Sequence, residues 1–455
     1  MKNVKAINSI NKNAAKLTAL FASFVFLQFV VLRFGNQAGR GYLAESRQET
    51  VYGFLQVFVI IGFFVHAFFK AKTKSVKTYG ATASAVTGLC LICAMIMTFL
   101  NPASVFYLAV TAVGVFALGY TGGAVYLYIS SQITERLGLC IGCGYSIALL
   151  MQYLLQLRWT VKPLLCALII LSVALIIIIL MNYDNKNENE VASSVKPYGK
   201  KLLFGVIITL ALLLFITYYN SYIHHLQIAS GYTEYNVYSW PRLVMIPGML
   251  IFGFIGDYRG GKCLPLSALC VAVIAFLNAA LIGKETYFIN MCLFYLALTA
   301  VITFYHLTFL RLAPDTKRPE IWAGLGRMLD SVAVIISFVF GFAGFSQLAV
   351  FIIDLSALII IVILMAIGGD FSLNLSREEN TYEKPSLEAL KEKYNLTPSE
   401  FRVFKELVLT DDKQEVIASR LNISVSTLRH HITSIYKKTG TQTRSALCKL
   451  NASKQ

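Results

Sequence analysis

Residues 164–181 read LLCALIILSVALIIIILM, eighteen positions without a charge. A bilayer core of about 30 Å is crossed by ~20 such residues wound as a helix. Eleven further stretches have the same character, so the apolar runs are 15–35, 51–69, 79–100, 103–130, 137–157, 160–182, 201–223, 236–256, 262–282, 286–310, 321–343 and 347–368. At 56% hydrophobic residues and a mean hydropathy of +0.64, the 455-residue chain holds more apolar surface than a soluble fold can hide. The start, with lysines from Lys2 to Lys16 ahead of an apolar run, imitates a signal peptide. It lacks a small-residue cleavage pattern and reads as the first of twelve spans. The expectation is an all-α polytopic membrane bundle.

Charge gives the orientation, because cytoplasmic loops collect Lys and Arg. Loops on one side hold 18 such residues, from Lys2 to Arg318, and loops on the other hold 6: Arg33, Arg40, Arg47, Arg158, Lys162 and Lys284. Both termini are expected in the cytoplasm, in the inner membrane of a prokaryote, where DNA lies within reach of the bilayer. Much of the net charge of +16 is therefore topological. Of the nine cysteines, the Cys90-x2-Cys93 and Cys140-x2-Cys143 pairs lie among apolar residues within spans. They read as small core residues rather than metal ligands.

The spans divide six and six around the polar stretch 183–200. After the eighth span comes Gly253-x3-Asp257-Tyr258-Arg259-Gly260-Gly261-Lys262. This arrangement and this motif resemble the major facilitator superfamily of transporters. The resemblance implies that Asp257 interacts with a helix N-terminus and an Arg, and so locks neighbouring helices on the cytoplasmic side. The corresponding loop after span two, Lys70 to Lys77, has neither the Asp nor the glycines. Segment boundaries are expected at 1–14 (cytoplasmic), 15–182 (first half), 183–200 (central loop), 201–370 (second half), 371–394 (linker) and 395–455.

That last segment is of another kind. Thr397-Pro398-Ser399-Glu400 is a capping box with Pro at the first helical position. Phe401, Phe404, Leu407 and Val408 then share one face. Asp412 to Glu415 opens a second helix, whose Val416, Ile417 and Leu421 are expected to face inward. Ser424 caps a third helix, in which Leu428, Ile432 and Ile435 repeat at i, i+4, i+7. Residues 416–455 carry Arg420, Arg429, Lys437, Lys438, Arg444, Lys449 and Lys454 with no Asp or Glu, an electrostatic footprint for phosphate. The order of these residues resembles the LuxR-type helix-turn-helix over about 55 positions. The departures are an extra residue near Thr410 to Asp412, Leu428 for the usual Val, and Thr439 for a common Leu. The resemblance implies that Arg429, His430 and Thr433 approach bases, on a row continued by Lys437. It also implies that Ser424, Thr427, His431 and Lys438 contact phosphate or position the helix, with Arg444 part of the same DNA-binding surface. A homodimer on double-stranded DNA follows from it.

Ionisable groups at membrane depth are costly and stand as candidate sites. They are His66, Arg242, His306, Arg327, Asp330 and Asp354. Arg327 and Asp330, three apart on one helix, can pair, and Asp354 reads as a helix contact. Arg242 follows Trp240-Pro241 and, with Tyr218, Tyr219, Asn220 and Tyr222 on span seven, is expected to form a site for a small anionic or aromatic effector. Tyr and Trp near helix ends also serve as interface belts. No nucleophile–base pair or phosphate loop stands out, and no enzyme, cofactor or metal site is expected. The reading is a membrane-bound one-component transcriptional regulator. Its competitor is a working transporter with a regulatory DNA-binding tail.

Overall fold

The computed structural model describes residues 2–38, 45–73, 75–132, 136–157, 162–183, 199–229, 240–279, 286–339, 347–367, 390–392, 394–410, 412, 414–441, 443–444 and 447. Every regular element among them is a helix. The chain forms two compact units, Met1–Ser376 and Arg377–Gln455. The central loop and the linker expected at 371–394 fall largely outside the described residues.

In the first unit, helices α1 (Lys2–Gln37), α2 (Glu45–Lys72), α3 (Val76–Phe99), α4 (Val105–Ser131), α5 (Leu137–Leu157) and α6 (Lys162–Met181) precede the central loop. After it come α7 (Gly199–Ala229), α8 (Met245–Asp257) behind a 3-10 turn at Trp240–Val244, α9 (Leu264–Ala279) and α10 (Tyr287–Leu312). Then follow the single turn α11 (Pro319–Trp322), α12 (Leu325–Val339) and α13 (Gln347–Ile367). Among the described residues, eight helices are long and apolar enough to cross a membrane: α1 to α7 and α10. The stretches expected at 236–256, 262–282 and 321–343 carry shorter helices. Pro241 lies in the 3-10 turn ahead of α8 and Pro319 opens the single turn α11 ahead of α12, first-turn positions that a missing N–H and a fixed φ suit.

Within a bilayer, helix association relies on close van der Waals packing rather than on water exclusion. Small residues therefore decide which helices meet. A Cβ on Gly62 of α2 would lie 2.2 Å from the Phe116 carbonyl oxygen of α4. Likewise, α5 and α8 touch backbone to backbone: a Cβ on Gly138 would lie 2.3 Å from the Gly253 oxygen, and one on Gly142 would lie 2.4 Å from the Met249 oxygen. The α5–α8 seam joins the two halves, as do α2–α12 and α4–α10. Cys90 and Cys140 are buried at helix contacts within the first half, each thiol directed to a carbonyl, Gly114 at 3.7 Å and Ala14 at 3.6 Å.

The second unit holds α14 (Pro398–Leu409), α15 (Gln414–Arg420) and α16 (Val425–Thr439). The capping box is present, with the Thr397 N–H donating to Glu400 Oε2 at 2.8 Å and the Glu400 N–H to Thr397 Oγ1 at 3.3 Å. Ser424 caps α16, accepting from the Thr427 N–H at 3.1 Å, and Gly440 ends it at φ 69°, left-handed backbone that glycine adopts without strain. Phe404, Ile417, Leu428 and Ile435 are fully buried in a core that also includes Val403, Leu407, Ala418, Ile432 and Leu447. One expectation needs correcting: Val416 is 47% exposed. On a helix of seven residues, Ile417 and Ala418 take the inward positions, and Val416, about 100° round from Ile417, is turned out.

Candidate ligand and nucleic-acid sites

At one end of the α5–α8 seam, Asp257 accepts from the Gly138 and Leu139 N–H groups at 2.7 and 2.8 Å. These amides lie at the open N-terminus of α5, where a carboxylate is favoured by both hydrogen bonding and the helix dipole. Arg311 of α10 donates to Asp257 Oδ1 and to the Gly256 oxygen, each at 2.7 Å. The Asp257 and Arg311 side chains are 10% and 8% exposed. The Asp thus meets a helix N-terminus and an Arg, but the Arg comes from α10, 54 positions on. Arg311 is one of the 18 cations counted above for the charge-rich loops, and the side chain of Arg259 lies outside the described residues. Gly260 and Gly261 adopt φ 68° and 82°, which lets the chain leave α8 in a tight turn, and Lys262 is exposed.

Further along the seam, Ser146 of α5 donates to the Ile246 oxygen at 3.2 Å. Beyond it the paired residues are larger, and a cavity opens between Leu149, Gln152, Tyr153 and Gln156 of α5 and Arg242 and Leu243 ahead of α8. The Arg242 guanidinium also lies over the Phe29 ring, 5.2 Å from its centroid. Gln152 is 3% exposed, and its Oε1 has no hydrogen-bond partner.

The residues expected beside Arg242 are distributed otherwise. Trp240 is 51% exposed and stacks on Phe288, as an interface-belt residue does. Tyr219 is buried and stacked on Phe215, its hydroxyl donating to the Ala275 oxygen of α9 at 2.5 Å. It holds helices together and does not face the cavity. Tyr218 packs half-buried against the core and Asn220 is half-buried. The side chain of Tyr222, like that of Asp354, lies outside the described residues. Gln152 was missed, because a lone glutamine in an apolar run gives no pattern to read.

Two further polar links cross between the halves. Arg327 donates to Asp330, as its spacing implies, and also to Ser331 Oγ at 3.2 Å; Ser331 donates to Gln56 Oε1 of α2 at 3.0 Å. The His306 ring of α10 meets Tyr126 of α4 at 2.8 Å through Nε2, and the Ile302 oxygen at 2.7 Å through Nδ1. An Nδ1–H tautomer that accepts the Tyr126 proton satisfies both contacts. On α2, His66 is buried against the Tyr79 hydroxyl at 2.8 Å.

In the second unit, α16 presents Arg429, His430, Thr433 and Lys437, all exposed. Arg429 Nε donates to Gln414 Oε1 at 3.3 Å, and Thr433 Oγ1 to the Arg429 oxygen at 3.0 Å. Ser424 and Thr427 are exposed at the helix start, and His431 is half-buried. Other expected DNA contacts are engaged within the unit. Lys438 donates to Glu400 Oε2 at 2.7 Å and to the Asn395 oxygen at 3.0 Å. Arg444 donates to the Leu407 oxygen at 2.9 Å, to the Asp412 oxygen at 2.6 Å and to the Thr410 oxygen, which clips the loop between α14 and α15. Arg420 pairs with Glu406 and Asp412 at 2.5 and 2.6 Å. Part of the apparent basic footprint is thus also engaged internally, leaving Arg429 and Lys437 as the exposed cations of α16 for which no salt bridge is formed among the described residues.

Glu400 is the hub of this unit. It is 6% exposed and accepts from Thr397, from Lys438 and, at 2.6 Å, from Ser434. Burial pushes its carboxyl up, but hydrogen bonds from Lys438, Ser434 and Thr397 outweigh that and hold it at about 2, against an ordinary 4.5.

Among solved structures, the chain is similar to the human organic anion transporter MFSD10 (TETRAN), at 11% identity and a TM-score of 0.52, over 78% of this chain and 99% of that one. It is also similar to the major facilitator superfamily proton:xylose symporter XylE, at 13% identity and a TM-score of 0.50, over 80% of this chain and 96% of that one. No family model and no curated protein sequence matches it. At these identities the similarity is one of fold: the membrane unit has the architecture of the major facilitator transporters. The chain is a multi-pass helical membrane bundle of that fold.

Proposed function

We propose that this protein carries a cytoplasmic DNA-binding unit on a transporter-type membrane domain, and that a small molecule held in the membrane governs that unit. The observation that carries the reading is the exposed row of Arg429, His430, Thr433 and Lys437 on a helix whose opposite side is buried against α14 and α15. A recognition helix of that make-up enters the major groove of duplex DNA, and pairing of two copies matches paired half-sites. Ser424 and Thr427, at the helix N-terminus, suit a phosphate.

The two forms of this reading differ in what the membrane unit does. The fold similarity to solved transporters favours the working transporter, with the tail a regulatory DNA-binding appendage. A sensor that does not transport is favoured by the asymmetry of the halves, since Asp257 latches α8 to α5 while Lys70 to Lys77 offers no such carboxylate. Saturable uptake into vesicles, unchanged on removal of residues 371–455, supports the first and contradicts the second.

Control of transcription is tested by comparing transcripts in cells carrying the intact chain, the Arg429→Ala chain at equal membrane level, or none. The expected result is that Arg429→Ala matches the cells with none. A profile unchanged between the intact and altered chains overturns the regulatory reading.

A further inference from the structure

Ile417 and Ala418 of α15 share one buried core with Leu428 and Ile432 of α16, and that packing brings Gln414, at the start of α15, beside Arg429. Arg429 Nε donates to Gln414 Oε1 at 3.3 Å. An arginine Nε can only donate, so the amide oxygen is the atom that must face it. Gln414 is half-buried and Arg429 exposed, so one side chain is anchored and the other reaches out from it. A guanidinium can hold a pair of acceptors on two edges, Nε with one Nη, or the two Nη groups together. Gln414 takes up the first edge, and the second makes no hydrogen bond among the described residues. In the major groove guanine alone shows two adjacent acceptors, N7 and O6; adenine sets an N6 donor beside its N7, and thymine and cytosine offer no such pair. An untethered arginine reaches phosphate as readily as a base. One held at Nε presents its forked end in a fixed direction and has less side-chain entropy to lose. One turn further on, Thr433 Oγ1 donates to the Arg429 oxygen at 3.0 Å, so its proton is not offered to a base. Thr433 is exposed, and the methyl it retains suits the C5-methyl of thymine. Four residues advance a helix by about 6 Å, close to two base-pair steps of about 3.4 Å.

We propose that Gln414 is a positioning residue that sets Arg429 end-on to a guanine, and that Thr433 seats against the methyl of a thymine about two base pairs away. This rests on the reading that the second unit binds duplex DNA, and it names the bases that the exposed row of α16 selects.

The test uses the full-length protein in lipid nanodiscs and the duplexes it retains from a randomised library, remade with adenine or 7-deazaguanine in place of guanine and with uracil in place of thymine. The retained duplexes are expected to share a guanine with a thymine about two pairs from it. Loss of N7 in 7-deazaguanine is expected to weaken binding about tenfold, and loss of the methyl in uracil about threefold. Gln414→Ala is expected to lower the guanine-over-adenine affinity ratio by about threefold to tenfold, and Gln414→Glu, which keeps an acceptor for Nε, to restore it. Thr433→Ser, which keeps the hydroxyl and drops the methyl, is expected to bring the thymine-over-uracil ratio to about one, whereas Thr433→Val keeps that ratio. Each ratio compares two duplexes on one preparation, so partial unfolding of a variant cancels. The proposal is overturned if the retained duplexes share no guanine, if Gln414→Ala leaves the guanine ratio as it was, or if the thymine ratio survives in Thr433→Ser. Those results leave duplex binding itself in place. Retention of duplex no greater than by the chain lacking residues 395–455 removes the DNA-binding reading and the base assignment together.

Discussion

Replacing Asp257 by alanine removes a group that joins three helices at one point. Its carboxylate accepts two N–H groups at the start of α5 and one charged donor from α10. Breaking a buried pair by deleting one partner costs about 3–5 kcal/mol, because the remaining charge stays buried and unmatched. Arg311 keeps its bond to the Gly256 oxygen, which favours the lower part of that range. Asp257→Asn retains an acceptor but not the charge and is expected to cost about half as much. Removing Arg311 as well takes away the stranded cation, so the double variant is expected to recover on the order of 1–3 kcal/mol relative to the sum of the two single changes. Thermal unfolding of the detergent-solubilised full chain gives the ranking, and hydrogen exchange gives the location. The Gly138 and Leu139 amides are expected to lose protection in Asp257→Ala while the middle of α4 does not. Additive losses in the double variant, or unaltered protection at 138 and 139, would refute the latch.

Further outcomes follow from the second unit. Glu400 has a depressed folded-state pKa, so its contribution is complete above about 4.5 and is lost as pH falls through about 2; the unit is expected to lose on the order of 2 kcal/mol over that window, read by acid titration of its near-ultraviolet signal, and Glu400→Gln should flatten the loss. Ile435→Ala, at a fully buried position, is expected to cost about 2–5 kcal/mol in urea unfolding, whereas Val416→Ala, 47% exposed, stays within about 0.5. Arg429→Ala is expected to cost about 1–3 kcal/mol at a preferred duplex sequence and little elsewhere, while Lys437→Ala weakens all sequences alike and flattens the salt dependence; equal, sequence-independent losses would reverse these roles.

What was legible in the sequence was local. Periodicity and caps gave the helices from Thr397 to Thr439, and long uncharged runs gave the bundle. Hidden were partnerships between residues far apart in the chain. Nothing near Asp257 announces Arg311, and nothing near Lys438 announces its ion pair with Glu400. The charge of Arg444 is visible in the sequence, but the carbonyls that engage it come from a turn more than thirty positions earlier. Trp240 was expected beside Arg242 from adjacency in the chain, and Tyr219 because span seven could face the same space. Helix rotation, which sequence adjacency does not specify, turned one into the core and the other onto the rim.

Selection from a random duplex library by the full-length protein in nanodiscs tests the central claim most directly. Enrichment of one sequence family, abolished in the Arg429→Ala, Lys437→Ala double variant at equal thermal stability, is the expected result. Enrichment no greater than that given by the chain lacking residues 395–455 would contradict it.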